Sequence, residues 1–204
     1  MKKEQSYNNL YKKIDATSKT RFHASRRLKG HSKLSTYSVV MISLTLILIS
    51  LMQAYELGSN INSELVGLIQ VFSSISVLVY SLLIDKNDYS NLAEKMYSCA
   101  AQLGELKQEI YPMLDKKFEE NEYQKYRIEY NRILKLYETH STNDFRADYL
   151  RAKLDMPEHY PMSWFENKKM KFNVIWALIL NHLSYITLIL ILGYVVCWLW
   201  FGNP

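Results

Sequence analysis

The sequence LSTYSVVMISLTLILISLMQAY fills residues 34–55 and contains no Asp, Glu, Lys, Arg or His. Residues 65–84 share this property, and residues 172–204 contain only His182 from that set. About 20 helical residues cross a bilayer core roughly 30 Å thick, so each run is long enough to span it. A chain of 204 residues has too little amphipathic sequence to bury three such helices in a soluble core. The runs therefore predict an all-α membrane protein with three spans.

Basic residues predict the orientation of these spans. Residues 1–33 contain ten Lys and Arg against two Asp and Glu, whereas residues 56–63 contain no Lys or Arg. Lys and Arg concentrate on the cytoplasmic side of membrane proteins, so the N-terminus is expected inside and residues 56–63 outside. Residues 85–171 are then cytoplasmic and end in the basic cluster Lys168, Lys169 and Lys171. The C-terminus is expected on the external side.

The predicted organisation follows from these boundaries. It comprises a basic amphipathic cytoplasmic helix (1–33), transmembrane helix 1 (34–55), an external connector (56–63), transmembrane helix 2 (64–84), a cytoplasmic helical extension (85–171) and transmembrane helix 3 (172–201). Gly30 is expected to end the first helix before the first span. The extension is expected to hold further helices near residues 115–137 and 144–154. The third run exceeds the length that one bilayer needs, and its His182 fits either packing or an ion-sensing role.

A stripe of small and polar residues follows one face of the second span. At 100° per residue its members fall within a narrow arc and continue past the membrane. They are Gly67, Gln70, Ser74, Ser81, Asp85 and Asp88. Two interpretations remain open: the stripe permits close helix packing, or it lines a pore whose inner mouth carries the two aspartates.

Apolar residues at alternating steps of four and three follow the second span. The spacing is that of a coiled-coil seam and predicts self-association of the chain. Its members are Leu92, Met96, Leu103, Leu106 and Ile110, with Cys99 filling the position between Met96 and Leu103. If the helix is unbroken from Asp85 to Leu92, stripe and seam lie on one face of a long second helix that enters a cytoplasmic bundle. A kink there would make a membrane-anchored scaffold as well supported as a pore.

The basic N-terminal segment has two compatible interpretations. It packs on neighbouring helices, or it docks against anionic lipid headgroups through Arg26, Arg27, Lys29 and Lys33. Direct nucleic-acid binding is not expected, because the membrane accounts for the same charge.

No sequence motif indicates catalysis, a metal or a cofactor. The chain lacks nucleotide-binding Gly-rich loops, a nucleophile elbow, a His-Glu-x-x-His helix and a Cys pair at metal spacing. His140, Asp144 and His159 can be imagined as a metal cluster, but isolated residues of this kind in polar turns are usually solvated or cap helices. We therefore expect no enzyme.

Residues 20–31 (TRFHASRRLKGH), followed by SKLSTYS at 32–38 and an apolar hairpin, resemble the start of SLATT domains. These are the SMODS and SLOG-associating two-transmembrane effector domains of bacteria, and the extra C-terminal span makes the chain most similar to the fifth SLATT family. The resemblance implies a pore-forming effector of an anti-phage system in the bacterial inner membrane, causing abortive infection. It also implies homo-oligomers and a reverse transcriptase or nucleotide-signal system encoded nearby.

The leading hypothesis is therefore a membrane-permeabilising effector, an ion channel or pore, that oligomerises in the inner membrane when activated. The alternative is a membrane-anchored helical scaffold that recruits a cytoplasmic partner without forming a pore.

Overall fold

The computed structural model describes residues 6–61, 64–137 and 142–202, apart from the side chains of residues 142–146 and 181. These residues form helices and no strand, which confirms the all-α class. The helices are α1 (Tyr7–Ala54), α2 (Glu64–Asn87), α3 (Tyr89–Ile110), α4 (Glu120–Leu136), α5 (Thr142–Leu154) and α6 (Trp164–Phe201), with a 3-10 turn at Tyr111–Met113. The three predicted apolar runs lie in helices that are long and apolar enough to cross a membrane.

The first helix, α1, is a single helix of 48 residues that passes through Gly30 without a break. The prediction that Gly30 ends the basic helix before the first span is therefore wrong. A glycine inside a helix costs only about 0.5–1 kcal/mol relative to alanine, and the packing of an amphipathic face outweighs that. The last helix, α6, likewise begins at Trp164, before the basic cluster that precedes the third apolar run.

Asp88 separates α2 from α3. It has φ 40° and is one of two non-glycine residues with positive φ among those described. Its backbone N–H donates to the carbonyl oxygens of Ile84 (3.2 Å) and Asp85 (3.3 Å), so α2 ends there. Aspartate tolerates the left-handed region better than most residues. The unbroken helix expected from Asp85 to Leu92 is thus divided into two helices at one residue.

The helices are grouped into two compact units. The first, called the charged unit, comprises Met1–Lys29 and Ser90–Leu178. Here α1 buries Tyr7, Leu10 and Ile14, which share one face because they lie three and four residues apart. These side chains join one cluster with buried residues of α3 and α4: Cys99, Leu103, Leu106, Ile110, Tyr123, Tyr130 and Ile133. The core of the charged unit is therefore built by α1, α3 and α4.

The second group, called the apolar unit, comprises Gly30–Tyr89 and Ile179–Pro204. It contains the apolar part of α1, the whole of α2 and the later part of α6. Its buried cluster lies near the connector between α1 and α2 and consists of Ile49, Met52, Ile61, Val66 and Leu199. Most other large apolar side chains of this unit are exposed, as expected for helices whose outer faces meet lipid.

The connector between α1 and α2 caps the C-terminal end of α6. The Asn60 side-chain amide donates to the carbonyl oxygen of Trp198 (3.2 Å), and the Asn60 backbone N–H donates to that of Leu199 (3.4 Å). The last carbonyls of a helix lack partners within the helix, and the Asn60 N–H supplies one for Leu199, while the Trp198 carbonyl also accepts the backbone N–H of Gly202 (3.1 Å). Gly58 allows the close approach, with φ 114°.

Replacing Gly58 with alanine is expected to destabilise the apolar unit by about 1–3 kcal/mol. A Cβ built at Gly58 lies 2.5 Å from the backbone oxygen of Leu199, and φ 114° disfavours any L side chain. Thermal unfolding of the purified chain in a mild detergent, followed by circular dichroism, measures the loss.

Gly30→Ala is the matched control for this substitution. A Cβ at Gly30 meets no atom within 4 Å, and its φ is not positive, so alanine is expected to stabilise α1 by about 0.5–1 kcal/mol. An equal loss of stability in both variants would show that the close approach at Gly58 is not what requires glycine.

Candidate functional site

The predicted polar stripe of α2 lies at the edge of its packed face. Gly67, Gln70 and Ser81 are half-buried, whereas Ser74, Asp85 and Asp88 are exposed. The stripe is therefore partly covered inside one chain and partly exposed. A Cβ at Gly67 would meet nothing within 4 Å, so this glycine provides no close helix contact within the chain.

Two glutamine side chains meet on the outside of the apolar unit. The Gln70 amide donates to the side-chain oxygen of Gln53 over 3.3 Å, and this contact is exposed. Ser74 and Ser81 instead donate to the carbonyl oxygens of Gln70 and Val77, four residues earlier (both 2.8 Å). A serine bonded in this way needs no further partner. Each glutamine amide, in contrast, can still donate and accept further hydrogen bonds.

A second polar feature of α2 was missed by the sequence analysis. Ser73 and Ser76 line an open apolar cavity of about 350 Å³ with Ile42 of α1 and Leu188 of α6. These serines lie beside the predicted stripe and point toward the helices of the same unit. Sequence spacing alone does not distinguish them from Ser74, because serines occur on several faces of this span.

An aromatic and imidazole cluster joins α1 to α6 at the start of the apolar unit. The rings of His31 and His182 are stacked, with centroids 5.7 Å apart and an interplanar angle of 12°. The Tyr185 hydroxyl lies within hydrogen-bonding distance of the Ser35 hydroxyl (3.0 Å) and of the His31 Nδ1 atom (3.4 Å). His182 was singled out from sequence, but its partner His31 was not, because no spacing rule links residues so far apart. The contacts in this cluster are consistent with a packing role for His182.

The predicted oligomerisation seam is used inside the charged unit. Leu103, Leu106 and Ile110 are buried in the cluster that α1 and α4 complete, Met96 is buried, and Leu92 is half-buried. Leu103, Leu106 and Ile110, which were predicted to meet a second copy, thus meet α1 and α4 of the same chain. A heptad pattern shows that a face is covered but not by which helix. An oligomer using this face would first have to expose it.

The four basic residues predicted at the membrane surface divide into two kinds. Arg26 and Lys33 are exposed and free to meet headgroups, and Lys29 lies 5.5 Å above the ring of Tyr97. Arg27 is different: its guanidinium donates to both oxygens of Asp148, with the shortest contact at 3.1 Å. The surface role predicted for Arg27 is therefore wrong, because a fully buried carboxylate holds it.

Asp148 is the central buried charge of the charged unit. Its side chain is 0% exposed and lies between Arg27 and Arg151, whose Nη1 atom is 3.6 Å from the carboxylate. Burial lowers the pKa of Arg151, while the charge of Asp148 opposes that shift. One carboxylate thus compensates two largely buried guanidinium groups and ties α1 to α5.

A second carboxylate, Asp15, lies close to two lysines and one histidine. Lys107 lies 2.6 Å from it, Lys19 3.4 Å and His159 3.5 Å. Burial acts to lower the pKa of Lys107, but the hydrogen bond and the charge of Asp15 outweigh it and raise that pKa above its usual value. His159 is thus engaged with Asp15.

The residues that the structure describes include no cluster of three or more His, Cys, Asp or Glu side chains able to hold a metal ion. His140 and the side chain of Asp144 lie outside the described part. The described geometry is therefore that of packing and ion pairing, with exposed polar groups on α2.

The chain matches a known protein family. The family described as "SMODS and SLOG-associating 2TM effector domain family 5" matches residues 3–199, which is nearly the whole chain. No curated protein and no solved structure matches the chain.

Proposed function

The chain belongs to the SMODS and SLOG-associating 2TM effector domain family 5, and on this premise we propose that it permeabilises a membrane as an activated oligomer. Family membership and the three apolar helices make it a membrane protein with an effector role in a conflict system. The finer proposal is a pore in the bacterial inner membrane, opened during phage infection, with the N-terminus cytoplasmic and the C-terminus external.

The exposed contact between Gln53 and Gln70 carries this proposal. Gln70 lies almost two turns inside α2, on the outer surface of the apolar unit. One hydrogen bond leaves most of the polar groups of both amides without partners, and hydrocarbon offers none. A second copy of the chain or a water-filled lumen supplies those partners. The exposed residues Ser74 and Asp85 of the stripe extend the same polar edge toward the inner side.

This proposal places the contact between copies on α2 rather than on the heptad seam. The seam is occupied by α1 and α4, whereas the polar edge of α2 is only partly covered. Polar side chains and small residues are the usual contacts between spanning helices. The activating signal is proposed to come from a partner, a reverse transcriptase or a nucleotide-signal system of the same conflict system.

Gln70→Leu is expected to weaken association and permeabilisation. Interhelical hydrogen bonds in membranes contribute about 0.6 kcal/mol on average and up to about 1.7, which corresponds to roughly 3–15-fold in affinity per contact. We expect a correspondingly smaller response of a membrane-potential dye in cells that express the chain with its activating partner. Cross-linking in membranes measures the association directly.

Thr45→Val is the matched control, because it removes a hydroxyl from an exposed position on α1 that already bonds to the Met41 carbonyl oxygen. It is expected to leave both readouts unchanged. An unchanged membrane potential with the wild-type chain and its activating partner present would overturn the pore proposal.

A scaffold is the second candidate, and the break at Asp88 favours it. The break removes the continuous helix that linked the polar stripe to the cytoplasmic extension. A scaffold would recruit a cytoplasmic partner through the charged unit and leave the membrane potential unchanged in all variants. The dye experiment therefore separates the two candidates.

A further inference from the structure

The hairpin of α3 and α4 has one side covered by α1 and another side open. On the covered side, Leu10 and Ile14 of α1 pack into the cluster that contains Leu103 and Tyr130. The open side carries a groove of about 880 Å³, and every residue that lines it belongs to α3 or α4. The hairpin thus offers a second place for a helix.

The groove has an apolar floor and an apolar rim. Leu106 and Ile133 form part of the floor, beside the core of the charged unit. Ile128 and Leu136, on α4, are 64% and 65% exposed and line the groove. Large aliphatic side chains that are this exposed outside an apolar span are typical of an interaction surface.

The α3 side of the groove is acidic. Glu105 and Glu109 lie one helical turn apart, both are exposed, and neither has an ion-pair partner among the residues that the structure describes. On the α4 side, Glu129 is bonded to Arg132 through two contacts of 2.6 and 2.8 Å, and Lys125 also lines the groove, so the excess of negative charge lies on α3. The chain as a whole carries a net charge of +5, so this acidic edge is a local departure from its basic character.

We propose that the groove between α3 and α4 binds a basic amphipathic helix of a partner protein. Such a helix places aliphatic side chains on Ile128 and Leu136 and lysines or arginines beside Glu105 and Glu109, as in other helix-in-groove complexes. The chain itself contains a helix of this kind on the same hairpin. The helix α1 packs Leu10 and Ile14 on the hairpin and exposes basic side chains elsewhere. A membrane surface is disfavoured as the occupant, since anionic headgroups would be repelled by the two unpaired carboxylates. The inference does not depend on pore formation.

The test uses the full chain in a neutral detergent and a fluorescent helical peptide of about 14 residues, or four turns, with the repeat LKKLLKL. Fluorescence anisotropy measures its affinity for the wild type, for Glu105→Lys/Glu109→Lys and for Ile128→Ser/Leu136→Ser. We expect each double variant to bind at least about tenfold more weakly, and wild-type binding to weaken as salt rises. An acidic peptide with the repeat LEELLEL is expected to bind more weakly than the basic one.

Glu94→Lys is the matched control for charge, because Glu94 is exposed on the same helix α3 but does not line the groove. Equal binding by the wild type, this control and both double variants would assign the signal to the micelle and overturn the proposal. Circular dichroism excludes unfolding of the variants as the cause of a loss.

Two other occupants give distinct results in the same experiment. If residues 1–5 of the chain itself fill the groove, their deletion raises the affinity for the peptide, and the assignment to a partner is overturned. If a second copy fills it, Glu105→Lys/Glu109→Lys lowers the oligomeric mass of the protein without any peptide, which also overturns it.

Discussion

Asp148→Asn is expected to lower the free energy of unfolding of the charged unit by about 3–5 kcal/mol, because it leaves two buried guanidinium groups without a negative charge. Asp148 is fully buried, and the side chains of Arg27 and Arg151 are only 7% and 13% exposed. Asparagine keeps the size of the side chain but removes the charge. The expected loss of stability is therefore electrostatic and is not caused by a cavity.

The buried thiol of Cys99 makes this loss measurable. Cys99 lies in the core of the charged unit, and burial raises the pKa of its thiol, so it reacts with a maleimide only when the unit opens. Cys197 is exposed and is replaced by serine to remove the background. We expect labelling of Cys99 in Asp148→Asn at a much lower denaturant concentration than in the parent chain.

Glu129→Gln is the matched control, because it makes the same carboxylate-to-amide change in an exposed ion pair with Arg132. Exposed pairs of this kind contribute about 0–1 kcal/mol, so the labelling curve should move little. A similar shift in both variants would mean that Asp148 is not the buried centre of the interaction between α1 and α5.

Leu103→Ala is expected to destabilise the charged unit by about 2–5 kcal/mol, independently of protein concentration. Leu103 is 0% exposed and packs against α1 and α4 of its own chain. If the seam instead joined two copies, the loss would decrease as the protein concentration rises, because association stabilises the folded state by mass action. Cys99 labelling at several protein concentrations separates these outcomes.

Leu136→Ala is the control for Leu103→Ala, since it deletes the same atoms from a side chain that is 65% exposed. We expect a change within about 0.5 kcal/mol. A large effect at Leu136 would indicate that the open groove of the hairpin is filled in the isolated chain.

The sequence predicted the fold class well because long apolar runs leave few alternatives. The absence of charge over residues 34–55 and 65–84 requires helices in a membrane, since only a helix pairs all of its own backbone groups there. The ends of helices were harder to predict. Gly30 lies inside α1 because local propensity is a weak influence compared with packing, and Asp88 interrupts the chain at a residue with no glycine or proline to mark it.

The functional residues were less predictable than the helices, because sequence spacing identifies a face but not its partner. The seam through Leu103 was predicted to join two copies of the chain, yet α1 and α4 of the same chain cover Leu103. Arg27 was counted with the surface lysines because its buried partner Asp148 lies 121 residues later. The stacking of His31 on His182 was missed for the same reason.

The cap formed by Asn60 on α6 has a consequence for biosynthesis. Its bonds to Trp198 and Leu199 join residues about 138 positions apart, so they form only after the ribosome has translated α6. Until then the first two spans reside in the bilayer without this closure, and the buried residues around Ile61 and Val66 lack Leu199. Folding of the apolar unit is therefore completed late, as the C-terminal helix leaves the insertion machinery.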